Sequence, residues 1–103
     1  NGFLLRLMNK KPKELCSINT AIKSAAEVLG EKVIAVILTG MGNDGQEGVE
    51  ILKQKGGITI VQDKKTSVVF GMPKEIIENG DADYVLPIGI IGEKIGELVS
   101  KRL

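Results

Sequence analysis

An unbroken apolar run, Val33-Ile34-Ala35-Val36-Ile37-Leu38, empties into Thr39-Gly40-Met41-Gly42-Asn43-Asp44-Gly45 and then into a segment with helical spacing. A strand that is apolar on both faces needs cover on both sides, which is the pattern of a central strand in a parallel sheet packed between helices. Open sheets of that kind place their ligands and chemistry where such a strand ends in a glycine-rich turn at a helix start. The turn here carries a single acid, Asp44, among three glycines.

The remaining periodicities support the same architecture. Ser17 is a suitable cap for a helix to about Leu29, with Ile18, Ala21, Ile22, Ala25 and Leu29 on one face and Gly30 as its terminator. A helix over 46–55 turns Val49 and Leu52 inward, carries Lys53 and Lys55 at its favourable end, and stops at Gly56-Gly57. Ile58 to Gln62 is a second buried strand, rich in β-branched residues. Pro73 suits the first turn of a short helix ending at Gly80. Tyr84-Val85-Leu86 reads as a third strand, and Ile91, Ile95, Leu98 and Val99 mark a last amphipathic helix. Val68-Val69-Phe70 takes no assignment. The alternation implies an α/β fold: a parallel sheet with helices on both faces, Rossmann-like and doubly wound. Three strands make a narrow sheet with an exposed edge, so only the C-terminal portion of a larger sheet is expected in this chain.

Composition closes off several chemistries. With 14 basic and 13 acidic side chains the net charge is +1, too small a field to argue for nucleic acid or an anionic membrane. The basic cluster Lys10-Lys11-Pro12-Lys13 reads as a solvated loop. Cys16 is the only cysteine and there is no histidine, so neither a Cys/His zinc site nor a complete histidine-dependent nucleophilic centre can be built from these residues. A lone cysteine and no disulfide suit a reducing, cytoplasmic setting. No apolar run approaches the ~20 residues needed to span a bilayer, and no membrane insertion is expected. The 103 residues suffice for one domain, 1–103. Asn1 is not an initiator methionine and the chain opens inside an apolar segment, which reads as part of something longer.

The loop at 39–45 admits three readings. Gly40, Gly42 and Gly45 satisfy a G-x-G-x-x-G pattern between strand and helix, and Asp63 stands near the ~20-residue offset of a ribose-binding acid, as in a nucleotide-binding module. Against this, Asp44 would compete with a pyrophosphate for the same helix N-terminus. The second reading makes the acid the point. The helix start keeps Asp44 ionised, and a fixed carboxylate at the sheet's carboxyl edge can orient an imidazole, as the acid of a serine hydrolase triad does. Outward-facing amides of the glycine turn then suit an oxyanion hole. In the third reading Asp44 caps the helix and nothing binds. Local chemistry leaves all three open.

Other residues carry blander readings. Thr39 satisfies its own turn, Asn43 is a turn residue, Gln62 and Asp63 cap a strand end at the cleft edge, and Met72 fills the core. Glu47, Glu50 and Glu93 are solvated helix charges.

The blocks Leu38-Thr39-Gly40-Met41-Gly42-Asn43-Asp44-Gly45, Gly56-Gly57, Gln62 and Val68-Val69-Phe70-Gly71-Met72-Pro73 together resemble the C-terminal part of the chemotaxis protein-glutamate methylesterases, the CheB family. Order and spacing agree from about residue 16 to the C-terminus. The resemblance implies hydrolysis of γ-glutamyl methyl esters on chemoreceptors, and in many members deamidation of receptor glutamines. It also implies a Ser-His-Asp triad on a doubly wound domain, usually behind a receiver domain, with no cofactor and no metal. Asp44 stands at the triad aspartate, and Met41 at the residue whose backbone amide serves the oxyanion site. Gly71-Met72-Pro73 is a family signature with no chemical step assigned. The chain departs from the pattern in lacking the serine and histidine that precede this segment, and the receiver domain. Ser67 stands where some members have cysteine. The expected partners are methylated chemoreceptors, the N-terminal part of the same enzyme and its receiver domain. By itself the segment is expected to be inactive, and its unpaired sheet edge also allows a third, non-enzymatic reading, an interaction fragment that self-associates.

Overall fold

Residues 33–38 are buried throughout, and their alternation divides the core in two. Val33, Ala35 and Ile37 turn to one face of the sheet, Ile34, Val36 and Leu38 to the other. The computed structural model describes residues 3–7, 18–39 and 45–102. Among these, four strands form one sheet in the order β1-β2-β3-β4, with β1 at Phe3–Leu7, β2 at Val33–Ile37, β3 at Ile58–Gln62 and β4 at Tyr84–Leu86. Every pairing is parallel. Leu7 stands opposite Ile37, Ile37 opposite Val61, and Gln62 opposite Leu86.

The helices are α1 (Ile18–Leu29), α2 (Gln46–Gln54), α3 (Gly71–Glu78) and α4 (Ile88–Arg102), with a 3-10 turn at Gly30–Lys32. Parallel neighbours require crossovers, and a common hand of crossover puts successive connecting helices on the same face when the strand order never reverses. The core follows that rule. Ile22 and Ala26 of α1, Val49 and Leu52 of α2, and Met72 and Ile76 of α3 pack with Val33, Ala35, Ile37 and Val61. Ile91 and Leu98 of α4 cover Ile34, Val36, Leu38 and Ile60 on the opposite side. The α/β class with helices on both faces is therefore as the periodicity requires.

Three details differ from expectation. Phe3–Leu7 adds a strand beside β2 that is not assigned from the sequence. The inward face of α1 is Ile22, Ala25, Ala26 and Leu29, with Ala21 exposed, because the helix rolls toward α2 as well as toward the sheet. On α4, Val99 is 37% exposed while Leu98 is buried. The expected cap Ser17, Cys16 and the cluster Lys10 to Lys13 lie outside the described residues. Gly30 ends α1 with φ +48°, a left-handed conformation that costs a side-chain-bearing residue more than glycine. Pro73 enters α3 in its first turn, as its missing N–H allows.

Apolar burial outweighs surface charge in holding these layers. Each fully buried Ile, Leu or Val contributes about 1.5–3 kcal/mol. The exposed pair Lys23–Glu47, 2.9 Å apart between α1 and α2, contributes at most about 1 kcal/mol. On the solvent side of α4 a hydrogen bond from Lys101, helped by Lys94, holds the Glu97 carboxyl below its ordinary range.

One buried hydroxyl opposes this economy. Thr59 is fully buried in β3; its N–H donates to Asp83 Oδ2 at 2.8 Å, but its Oγ1 has no hydrogen-bond partner. Valine keeps the β-branched shape and removes the orphaned group, so Thr59→Val is expected to raise stability by about 1 kcal/mol in denaturant unfolding. A loss of similar size would show that the hydroxyl is satisfied.

Candidate functional site at the carboxyl edge of the sheet

Because the strands are parallel, the residues that leave them share one edge. Thr39 follows β2, Gln62 ends β3, and Ile88 follows β4. Four side chains, those of Thr39, Gln62, Asp63 and Thr66, join these exits into one network. Gln62 is 3% exposed, and its Oε1 accepts the Thr39 N–H at 2.8 Å. Its Nε2 donates to the Thr66 carbonyl at 2.7 Å and to Thr66 Oγ1 at 3.2 Å. The orientation of the amide is dictated by its neighbours: an N–H only donates and a carbonyl only accepts, so the oxygen must face Thr39 and the nitrogen Thr66.

Thr66 Oγ1 also donates to Asp63 Oδ1 at 2.7 Å and accepts the Ile88 N–H at 3.0 Å, which uses all of its hydrogen-bonding capacity. Asp63 Oδ1 accepts the Thr66 N–H as well, at 3.0 Å, and the Asp63 carbonyl accepts Ser67 Oγ–H at 2.7 Å. The circuit closes on Thr39. Its Oγ1 accepts the Val69 N–H at 2.7 Å and donates to the Val69 carbonyl at 2.9 Å.

The far side of the glycine loop is anchored too. Gly45, with φ +108°, stands at the N-cap of α2, and its carbonyl accepts the Val49 N–H at 2.9 Å. The first-turn amide of Gly48 donates to Asn19 Oδ1 of α1 at 2.8 Å, which satisfies a donor that the helix itself cannot. Residues 40–44, including Met41 and Asp44, lie outside the described residues, as do Gly40, Gly42 and Asn43. Before them Thr39 is bonded to Gln62 and Val69, distant in sequence; after them Gly45 is bonded within α2, and Gly48, three residues on, reaches Asn19 of α1.

The sequence-based expectations for this edge divide. Gln62 and Asp63 cap a strand end, as read. Met72 is core, buried with Pro73 against the same face as α1 and α2. Glu47, Glu50 and Glu93 are exposed. Thr39 does not satisfy its own turn; its hydroxyl reaches Val69, thirty residues on. Asp63, the acid of the nucleotide reading, turns its Oδ1 back onto Thr66, and a nucleotide site is not favoured.

Sequence reasoning left out a cavity of about 410 Å³ beside this network, lined by Lys64, Phe70, Gly71, Lys74, Ile77 and Glu78. The Gly71-Met72-Pro73 motif therefore has two jobs: Gly71 borders open space while Met72 and Pro73 fill the core. Among the described residues no group of three or more His, Cys, Asp or Glu is placed to hold a metal ion, and no helix is long and apolar enough to cross a membrane.

The sequence of the loop and of the connection that braces it can be set beside known proteins. The model of the CheB methylesterase family matches residues 5–95, which takes in the whole network and the 40–44 segment. The chain belongs to the CheB methylesterase family. A protein-glutamate methylesterase/protein-glutamine glutaminase of Pyrococcus horikoshii is 49% identical over 100 residues, covering 93% of this chain and 26% of that protein. The protein of the same name from Thermotoga maritima is 54% identical over 83 residues, covering 81% of this chain and 24% of that one. The crystal structure of the Thermotoga maritima CheB methylesterase catalytic domain superposes with a TM-score of 0.78 at 54% identity, over 80% of this chain and 43% of that domain. The chain thus spans about a quarter of the length of the curated relatives it matches.

Proposed function

We propose that this chain is the C-terminal part, residues 1–103, of a single methylesterase catalytic domain, and that it supplies the triad aspartate, Asp44, and the oxyanion-site amide of Met41. The supporting observation is the family match running through residues 40–44, with Thr39 just before them tied to Gln62 at the carboxyl edge of a parallel sheet. The sequence has no histidine, so the general base comes from outside these residues, together with the serine nucleophile.

In the assembled enzyme the serine hydroxyl attacks the γ-carbonyl of a glutamyl methyl ester while the histidine takes its proton. Asp44 accepts the other imidazole N–H, fixes the tautomer and stabilises the imidazolium. The Met41 amide donates to the oxyanion of the tetrahedral intermediate. Collapse breaks the ester C–O bond and expels methanol, which takes the proton from the histidine. Water, deprotonated by the same histidine, then hydrolyses the acyl-enzyme and frees the glutamate. Attack on a receptor glutamine would follow the same course with ammonia leaving, in keeping with the second half of the relatives' name. The chemistry needs no metal or organic cofactor. The substrates are methylated chemoreceptors at the cytoplasmic side, and the partners are the preceding part of the enzyme and a receiver domain.

Methanol release from a methylated receptor by the intact enzyme tests the activity. The 103-residue segment alone is expected to release none above the buffer rate, because it lacks nucleophile and base. Turnover of an activated ester by the purified segment that survives Asp44→Ala would refute this.

A further inference from the structure

No side chain of the polar network at the carboxyl edge takes part in the chemistry just described, and Gln62 is the most buried of them. Each of its side-chain hydrogen bonds holds backbone or a neighbouring hydroxyl: the Thr39 N–H at one end, Thr66 at the other. We infer that Gln62 is a positioning residue for ester hydrolysis, acting with Thr39 to fix the point from which the chain enters the segment bearing Met41 and Asp44. The inference rests on the function proposed above and specifies how its reactive loop is held.

Thr39 is two residues before Met41 and five before Asp44. Its amide is tied to Gln62 and its hydroxyl to both backbone groups of Val69, so the peptide leaving Thr39 has its position fixed from two directions. Gln62 is in turn fixed by Thr66, and Thr66 by Asp63 and by the first residue of α4. Gly45 and Gly48 anchor the exit through Val49 and Asn19. Gln62 anchors the entry. A donor amide and a carboxylate that must meet a transition state lose effectiveness steeply when displaced, by about a hundredfold for 1 Å.

Gln62→Met keeps the length and removes all three bonds; Thr39→Val keeps the shape and removes only the two bonds to Val69. In the intact enzyme Gln62→Met is expected to lower kcat by roughly ten- to a hundredfold with KM changed less than about twofold, since the affected groups act in the transition state. Loosening Asp44 weakens its support of the imidazolium, so the base titrates lower and the acid limb of the kcat/KM profile moves to lower pH. Thr39→Val is expected to shift both readings in the same direction by less, and Thr39→Ser, which restores the hydroxyl, to recover most of the lost kcat.

A residue needed only for folding would lower the melting temperature while leaving kcat per folded molecule and the acid limb in place. If Gln62→Met does not fold, Thr39→Val and its serine rescue decide the matter alone. Folded variants with parent kcat and an unmoved acid limb overturn the inference. Asp44→Asn separates the two levels: its inactivity beside a parent-like Gln62→Met removes the positioning role only, whereas parent-like turnover of Asp44→Asn removes the triad and the inference together.

Discussion

Asp44→Asn in the intact methylesterase is expected to lower kcat for receptor demethylation by roughly ten-thousandfold, with the protein still folded. The size follows from what an amide does to the imidazole beside it. A carboxylate only accepts hydrogen bonds, so it selects the tautomer whose other nitrogen is free to take the serine proton. An asparagine can turn its NH2 toward the ring, and the ring then presents a proton where the mechanism needs a lone pair. Asp44→Ala removes the orienting acid without supplying a wrong donor, so its loss is expected to be large but no larger. What remains in either variant reflects binding and the oxyanion site, which persist when a triad member is lost. Asp83→Asn is the contrasting change. Asp83 stands before β4, at the amino edge of the sheet, where its carboxylate accepts the Thr59 N–H and faces Lys53 Nζ at 3.6 Å. An asparagine oxygen can still accept that N–H, so stability changes little and turnover should not respond. Methanol release and melting temperature, measured on all three, check the set. Near-normal turnover of Asp44→Asn would end the assignment of a triad acid to this loop.

The contrast between Asp44 and Gln62 shows which parts of such a site can be read from a sequence. Asp44 stands out because an acid among glycines after an apolar strand is unusual, and because the surrounding blocks match a family. β2 and β3 stand out because a doubly buried strand has no polar face to confuse its period. Gln62 is visible as a polar residue at a strand end and as one of the matching blocks, with no role attached to it. Its partners, Thr39 and Thr66, lie 23 residues back and 4 residues on, and only the parallel pairing of β2 with β3 brings the first of them into reach. Thr39 is misread for the same reason: local turn chemistry offers its hydroxyl a nearby partner, and the tertiary fold supplies Val69 instead. β1 is missed because Phe3-Leu4-Leu5-Arg6-Leu7 has neither a clean alternation nor the β-branched residues that mark β2 and β3, and its pairing with β2 is non-local. The cavity at Lys64, Phe70 and Lys74 has no sequence signal at all, since it arises where a connection and α3 fail to close on each other.

Gly48→Val is expected to destabilise the fold by about 3 kcal/mol or more. Gly48 lies in the first turn of α2, where α1 crosses it. A Cβ at this position would stand 2.8 Å from Ile22 Cβ, 3.1 Å from the Asn19 carbonyl oxygen and 3.3 Å from Asn19 Cα. Two of these three are backbone atoms of a packed helix and the third is the root of a fully buried side chain, so none can step aside as a flexible tip would. The two helices would have to separate. Separation breaks the Gly48 N–H bond to Asn19 Oδ1 and loosens the contact of Ile22 with Val49 and Leu52. Even Gly48→Ala, which by helix propensity alone should gain about 1 kcal/mol, is expected to lose stability. Gly96→Ala on α4 isolates that propensity term: a Cβ there meets nothing within 4 Å, so the same substitution should stabilise by about 0.5–1 kcal/mol. For a domain of this size each kcal/mol moves the melting temperature by about 4–8 °C, so opposite shifts at the two sites are easily resolved. Because α2 begins at the residue after Gly45, displacing it also moves the exit of the loop that carries Asp44. Gly48→Ala in the intact enzyme should therefore lose turnover at temperatures where it is still folded. Equal stability of Gly48→Ala and Gly96→Ala would mean that α1 and α2 do not approach as closely as the Ile22 and Asn19 distances require.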